Sequence, residues 1–347
     1  MIGREIYDFV VVGQGLAGTL LSYFLHKNGK SVLIIDDNFK GSSSKVAAGI
    51  VNPITGKNFI KSWRIHDFLP EARRTYDELH HFLGINTYTE ANIIRSLYSV
   101  EDENNWLAKT GDPEVKDYML PKADVTEFNN LVTKPMGYGE LTGTFQVYIS
   151  DILSAFKAMW QKNGWYLEER FVFDRLDSSN GYYNYNGKIF REIIFCEGHQ
   201  AVDNPFFRDI GMAPSKGEVL LVRIPDATFR KMYKDHVFIV HQYDDVYWVG
   251  SGYEWNMSDD KPSPKMFRQL DQELKRILKV PYEILDHKAA IRPTMFTRRP
   301  VFRVHDTREG MFLFNGLGTK GASIAPFAAK QFCSYLITKN PEDLILI

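Results

Sequence analysis

Asp8-Phe9-Val10-Val11-Val12-Gly13-Gln14-Gly15-Leu16-Ala17-Gly18 is a hydrophobic strand that runs directly into Gly-x-Gly-x-x-Gly. Each glycine has a physical task. Gly13 permits the tight strand-to-helix turn, Gly15 lets backbone approach a pyrophosphate, and Gly18 lets the helix pack close to the strand. The helix N-terminus then offers free N–H groups and a partial positive charge to phosphates. Leu16, Ala17, Leu20, Leu21, Phe24 and Leu25 follow as one apolar stripe at helical spacing, and Gly29 is placed to end that helix. Ser31-Val32-Leu33-Ile34-Ile35 reads as a buried parallel strand ending on Asp36-Asp37. Asp36 lies 18 residues after Gly18, close to the interval at which an acidic residue accepts from a ribose hydroxyl. The stretch therefore predicts a βαβ unit with a dinucleotide site.

Composition sets the frame around it. The chain has 347 residues, 44% hydrophobic and 24% charged, with a formal net charge of −1, enough for two domains with sizeable cores. This balance gives no sign of a nucleic-acid or membrane surface, although a sum cannot see a local basic patch. Cys196 and Cys333 are far apart and form neither a Cys-x-x-Cys pair nor a metal cluster, which favours a reducing, cytoplasmic setting and argues against disulfide reductase chemistry. No signal-like apolar stretch opens the sequence, and no apolar run reaches the roughly 20 residues of a membrane helix. No metal site is expected.

Gly41-Ser42-Ser43-Ser44-Lys45-Val46-Ala47-Ala48-Gly49-Ile50-Val51-Asn52-Pro53 is dense in small residues and suits a loop fitted against a ligand. A helix is expected over 67–82. From about Gly84 to Gly139 the texture changes to short alternating runs such as Ile93–Val100, broken by Pro113, Pro121 and Pro135, which predicts a separate mixed β region. Helical spacing returns near Gly143–Gln146 and runs through Ile152, Leu153, Phe156, Met159 and Trp160. Strands are expected at 164–167 and 171–173, then a hairpin turned at Asn186-Gly187 and a buried strand over Arg191–Gly198. Lys216–Val222, His236–Val240 and Val246–Gly250 form a second β region, followed by a helix over Lys265–Leu278. The chain then gives strand Met311–Phe314, the loop Asn315-Gly316-Leu317-Gly318-Thr319-Lys320-Gly321 and a final helix. Two kinds of segment interleave. The expected fold is α/β: a Rossmann-type dinucleotide domain over 1–83, 144–213 and 285–347, with an interleaved mixed α+β substrate domain, built on an antiparallel sheet, over 84–143 and 214–284.

The Gly316–Gly321 loop repeats the opening logic of strand, glycines and helix N-terminus, with Lys320 adding a positive charge. Two such entries, one towards each end of the chain, point to a large cofactor gripped twice, which FAD fits better than NAD. At this point the chain resembles the FAD-dependent D-amino-acid oxidase superfamily, most closely its glycine oxidase branch. It is also similar to the oxidase domain of the bifunctional tRNA wobble-uridine enzyme. The matching pieces occur in order: Val12–Gly18 with Asp36, Ser43–Ile50, Ile194–Gly198, Lys216-Gly217-Glu218, Val249–Gly252, Ile291-Arg292-Pro293-Thr294 and Gly316–Pro326.

The resemblance implies an FAD enzyme that oxidises the C–N bond of an amine or amino acid by hydride transfer to flavin. Gly13, Gly15, Leu16, Ala17 and Gly18 would hold the pyrophosphate, and Asp36 with Asp37 the adenosine ribose. Ser43 and Ser44 would face phosphate or ribitol, and Ala48, Gly49 and Ile50 the isoalloxazine. Val172 would meet adenine through its backbone, and Gly198 also falls to the cofactor. Gly316, Gly318, Lys320 and Gly321 would cover the flavin's pyrimidine edge. Arg292 matches the arginine that clamps a substrate carboxylate, a task suited to a guanidinium fork. His241 and Tyr253 fall near the expected pocket wall, and Lys57, Trp63 and Arg64 would roof it.

Three departures from the family pattern make glycine a doubtful substrate. Phe238 stands where the glycine oxidase branch carries a tyrosine. Thr297-Arg298-Arg299 replaces an Asp-Gly pair, and Thr319, beside Lys320, replaces a second carboxylate-binding arginine. The expected partner is a small amine or amino acid. An oxidase acting on a carboxymethylaminomethyl group of tRNA and an electron-transfer flavoprotein are the alternatives. The former lacks an attached methyltransferase domain and any phosphate-binding charge excess here, so nucleic acid is not the expected partner. Oligomeric state is not encoded in any motif.

Overall fold

The computed structural model describes residues 6–255 and 259–344. The expected domain ends at 1 and 347 lie outside these residues. The opening βαβ unit forms as the periodicity requires: strand Ile6–Val12, helix Leu16–Lys27 and strand Val32–Asp36. Its strands lie in a parallel array, in the order Tyr166–Glu168, Val32–Asp36, Ile6–Val12, Lys188–Phe195, Met311–Asn315. Strand Val301–Val304 adds antiparallel to the last of these. Both faces are covered, so the strands read as continuous apolar runs. Phe9, Val11 and Ile34 pack against the helices, which include Leu16–Lys27, Ile65–Leu83, Ile149–Lys162 and Gly321–Thr338. Val10, Val12, Leu33 and Ile35 pack on the other side against Phe171, Tyr185 and Phe207.

Strand Lys188–Phe195 has two partners along one edge. Its first half pairs antiparallel with Tyr182–Tyr185 and its second half parallel with Met311–Asn315. The Asn186-Gly187 turn between the hairpin strands has φ of 49° and 81°, the two left-handed positions of a type I′ turn.

A second eight-stranded sheet has the order Glu283–Arg292, Ser215–Arg223, Val246–Gly250, Phe238–Tyr243, Met232–Lys234, Ile93–Leu97, Gly137–Leu141, Met119–Leu120. All its neighbours are antiparallel except Met232–Lys234 beside Ile93–Leu97. Helix Pro264–Ile277 covers one face through Leu270, Leu274 and Ile277. The other face turns toward the Val46–Ile54 segment, with Val219, Val240, Trp248 and Ala290 in that layer. The buried Trp248 indole N–H donates to the Val46 carbonyl at 2.8 Å, a direct bond between the two halves of the fold.

Several expected elements differ. The 84–139 region contains a helix, Val100–Thr110, capped by Ser99 accepting from the Asp102 N–H. Its single buried residue, Trp106, lies over Gly139, where a Cβ would come within 2.5 Å of the indole. One buried position in eleven leaves no apolar stripe, which hid the helix. Phe145–Val147 is a strand, paired with Ile50–Val51 and Tyr88–Glu90, and the helix starts only at Ile149. The Ser43–Val46 segment makes one helical turn inside the small-residue loop. Phe171–Phe173 is no strand, because Phe171 stacks on Tyr185 at 4.5 Å instead of pairing its backbone. The expected seam between 284 and 285 falls inside strand Glu283–Arg292, which pairs with Ser215–Arg223 along its whole length.

The final helix is held to the parallel sheet by Phe332, fully buried, with its ring centroid 4.8 Å from Phe302 and 5.7 Å from Phe314. Phe332→Ala is expected to lower stability by about 3–5 kcal/mol, measured as a shift of the urea midpoint at unchanged slope.

Candidate active site

A cleft of about 420 Å³ runs from the carboxyl ends of the parallel strands to the inner face of the second sheet. Its position follows from topology, since open α/β sheets bind ligands beyond the strand carboxyl ends. At one end Gly13 has φ 101°, and a Cβ there would lie 2.5 Å from the Cys196 carbonyl oxygen. A Cβ on Gly18 would lie 2.0 Å from the Gly13 carbonyl oxygen. Ser44 Oγ accepts from the Leu16 N–H at 3.0 Å, and Gly15 and Ala17 keep N–H groups without an acceptor among the described residues. These orphan donors at a helix start suit a diphosphate. Asp36 closes the far side. Its carboxylate accepts from the Gln14 and Asn38 N–H groups, both at 2.7 Å, and from the Tyr166 hydroxyl at 3.1 Å.

Gly13, Gly15, Leu16, Ala17, Asp36, Asp37, Ser43, Ser44, Ala48, Gly49, Ile50, Gly198, Gly318, Lys320 and Gly321 all line this cleft. Gly49 has φ 74° and lies against the Val147 carbonyl, where a Cβ would come within 1.9 Å. Lys320 donates to Ser62 Oγ at 2.8 Å and to Thr55 Oγ1 at 3.4 Å, has no carboxylate partner among the described residues, and is pulled below its usual pKa by burial.

Three of the expected cofactor residues lie off the lining. Gly18 and Gly316 act through packing; at Gly316 the φ is 81° and a Cβ would meet Met295. Val172 has its N–H donated to the Tyr185 hydroxyl at 3.1 Å and its carbonyl accepting from the Arg175 N–H, so its neighbours Arg170, Phe171 and Phe173 face the cleft instead.

At the other end, Arg292 lies across Gly217, where a Cβ would come within 1.9 Å of its Nη2. The guanidinium donates to Ser251 Oγ at 2.8 Å and to the Gly252 carbonyl at 3.3 Å, and lies 4.3 Å over the Tyr253 ring. Nη1 is buried without a hydrogen-bond partner, no carboxylate pairs with the group among the described residues, and burial lowers its pKa. A desolvated guanidinium with a free donor, in a cleft, has the chemistry that suits an anion. Tyr253 lines the cleft beside it. His241 does not; it sits at the far end of its strand and bonds the Asp244 carbonyl at 3.0 Å. Lys57, Trp63 and Arg64 also lie off the lining, with Trp63 stacked under Arg299 at 3.7 Å and packed on Phe68.

Sequence motifs did not single out Glu197. It lines the cleft beside Gly13, is bonded by the Asn204 amide at 2.6 Å, and is pushed up from 4.5 to about 7 by burial. Its only sequence signal is its place between the buried strand Lys188–Phe195 and Gly198.

A family model described as FAD dependent oxidoreductase matches residues 8–334. The bifunctional protein ThiO/ThiG of Trichormus variabilis is 21% identical over 97% of this chain, and the chain spans about half the length (54%) of that relative. Glycine oxidase from Bacillus cereus superposes with a TM-score of 0.81 at 18% identity, covering 98% of this chain and 97% of that one. Iminodiacetate oxidase from Chelativorans sp. superposes with a TM-score of 0.78 at 18% identity, covering 96% of each chain. No helix among the described residues is long and apolar enough to cross a membrane.

Two outcomes follow from this geometry. Gly217→Ala must displace the Arg292 guanidinium, so carboxylate binding should fall while cofactor uptake, read from the visible spectrum, is kept. Glu197 has a raised folded pKa, so the stability it adds is whole below about 4.5 and is lost as pH rises through about 7. Across that window the apo protein's melting temperature should fall relative to that of Glu197→Gln.

Proposed function

The chain belongs to the FAD-dependent oxidoreductase family, and from that premise we propose that it oxidises the C–N bond of an amine or amino acid bearing a carboxylate. The observation that carries this is Arg292, a buried guanidinium with an unused donor and no acidic partner among the described residues. Bound FAD supplies the two-electron acceptor, and the chain supplies position and a dry wall.

The glycine turn at Gly13–Gly18, Ser44 and Asp36 would hold the diphosphate and ribose. Gly49, Ile50 and the loop at Gly318–Gly321 would flank the ring system, with Lys320 as a neighbouring cation. Arg292 would fix the substrate carboxylate through its unused Nη1 donor while Nη2 stays tied to Ser251 and Gly252, which sets the orientation of the adjoining Cα–H. Phe238, Trp248 and Ala290 line the cleft near it and keep water away from that carbon. The lining residues around Arg292 (Gly217, Phe238, Trp248, Ser251, Tyr253 and Ala290) include no carboxylate and no histidine, so no side chain there holds the substrate as an ammonium. The amine enters neutral, and its proton is lost to solvent before binding. Bacillus cereus glycine oxidase and Chelativorans iminodiacetate oxidase, named for substrates with a carboxylate beside the amine nitrogen, agree with this class.

The test is anaerobic mixing of the FAD-loaded protein with a panel of amines, read by loss of the flavin's visible absorbance. Amines carrying a carboxylate should bleach it, faster as pH rises; a yellow protein that no such amine reduces overturns the proposal. In Arg292→Lys, which loses the fork, carboxylate binding should weaken about ten-fold or more with the flavin spectrum intact.

A further inference from the structure

Two cations on the cleft-facing side of the second sheet have no part in the chemistry above. The register pairs Gly250 with Phe238, Phe238 with Lys234, and Lys234 with Arg95, one row across four strands. Residues directly opposite on neighbouring strands share a face, and Phe238 lines the cleft, so Lys234 and Arg95 share its side. Lys234 Nζ lies 4.8 Å from the centroid of the Phe238 ring, and the Arg95 guanidinium 4.7 Å from that of Phe59.

Both cations are half-buried, lie just past the cleft lining, and have no ion pair among the described residues. Burial pulls both below their usual pKa, Lys234 to about 8, with Arg95 beside it adding repulsion. Lys234 donates once, to the His236 carbonyl at 2.8 Å; Arg95 has no hydrogen bond or ion pair among the described residues. The acids around them do not reach ion-pairing distance. Asp102 acts on Arg95, while Asp235 and Glu273 act on Lys234, and both of those are bound by Arg276. Like charges side by side on a partly buried face repel one another, and an anion between them offsets that repulsion.

We infer that Arg95 and Lys234 form an anion subsite beyond Phe238, so that the substrate carries a second acidic group besides the carboxylate at Arg292. This rests on the oxidation proposed above for the same cleft. Separation follows from the sheet. The Arg292 guanidinium bonds Ser251, the residue after Gly250, and from Gly250 to Lys234 is two strand spacings, about 10 Å. The two acidic groups are therefore joined by several carbons, with the apolar part of the molecule against Phe238. A carboxylate or a phosphonate-like group supplies the anion that the second pair calls for, the phosphonate with the larger charge.

The experiment titrates the FAD-loaded protein with non-oxidisable acids and follows the shift of the flavin absorbance. Straight-chain dicarboxylates from malonate to pimelate are compared with monocarboxylates of the same carbon number, and phosphonocarboxylates form a third series. Wild-type protein should bind the best dicarboxylate or phosphonocarboxylate at least ten-fold tighter than its monocarboxylate match, with an optimum at the longer chains. The tighter of the two diacid series identifies the second group. In Lys234→Met and Arg95→Met, which exchange a buried charge for an apolar chain of similar length, that preference should fall below two-fold. Melting temperatures equal to or above wild type would separate this loss from misfolding. Equal affinity for mono- and diacids in wild type, or a preference that survives in both variants, overturns the subsite while leaving the Arg292 clamp standing. If no acid of any series perturbs the flavin, the clamp fails and the subsite with it.

Discussion

Backbone lies against backbone at Gly13 and Gly18, and the placement of the site depends on that contact. A side chain at either position would sit inside a carbonyl group of the adjoining turn or strand. Only with both hydrogens in place does helix Leu16–Lys27 start directly above the strand ends. Its unpaired N–H groups then open into the cleft and are not sealed beneath side chains. The apolar strands on either side could tolerate many substitutions of similar volume; these two positions cannot.

The second sheet is brought to the same cleft by an equally close approach. Gly49 rests on the Val147 carbonyl, and the Trp248 indole bonds the carbonyl of Val46 three residues earlier. The small-residue segment that follows the βαβ unit is therefore a joint. Its lack of bulk lets one sheet contribute the dinucleotide cradle while the other presents Arg292 across it. Behind Arg292, Lys216 and Glu218 on the opposite face of their strand secure the segment that bears Ser251 and Tyr253: Lys216 pairs with Glu254 at 2.9 Å, and Glu218 accepts from the Ser263 N–H at 2.8 Å. The Lys-Gly-Glu run thus alternates anchor, gap and anchor, with the guanidinium lying in the gap.

What was legible in the sequence followed how local its cause is. The Gly-x-Gly-x-x-Gly turn, the strand ending on Asp36 and the Asn-Gly hairpin are each written within a few residues, and each forms as expected. Helix Val100–Thr110 was hidden because only Trp106 is buried, and strand Phe145–Val147 because its partners lie at residues 50–51 and 88–90. His241 was expected near the pocket wall, but strand alternation turns it to the face opposite Phe238 and Val240, where its ring lies 5.4 Å from that of Tyr247. Glu197, Lys234 and Arg95 could not be found by motif, since each is defined only by which strand it faces.

The charge balance makes the same point on a larger scale. A formal net charge of −1 describes an almost neutral molecule, yet the cleft is polarised along its length. Asp36, Asp37, Glu169, Glu197 and Asp203, with Arg170 as the one cation among them in the lining, lie in the part nearest the βαβ unit, while Arg292 and Lys320 line the part against the second sheet and its neighbouring loop, with Lys234 and Arg95 beyond the lining. Glu197 relieves the crowding on the acidic side by holding its proton up to about pH 7. On the basic side the lysines are relieved in part by their lowered pKa, but an arginine does not give up its proton at neutral pH. On the proposed function, cations at that end would disfavour a substrate whose charge is a bare ammonium and favour one that is acidic at the same end as its amine. The proposed selection for anionic amines thus rests on where cations without an ion pair lie in the fold, a property that no sum over the sequence contains.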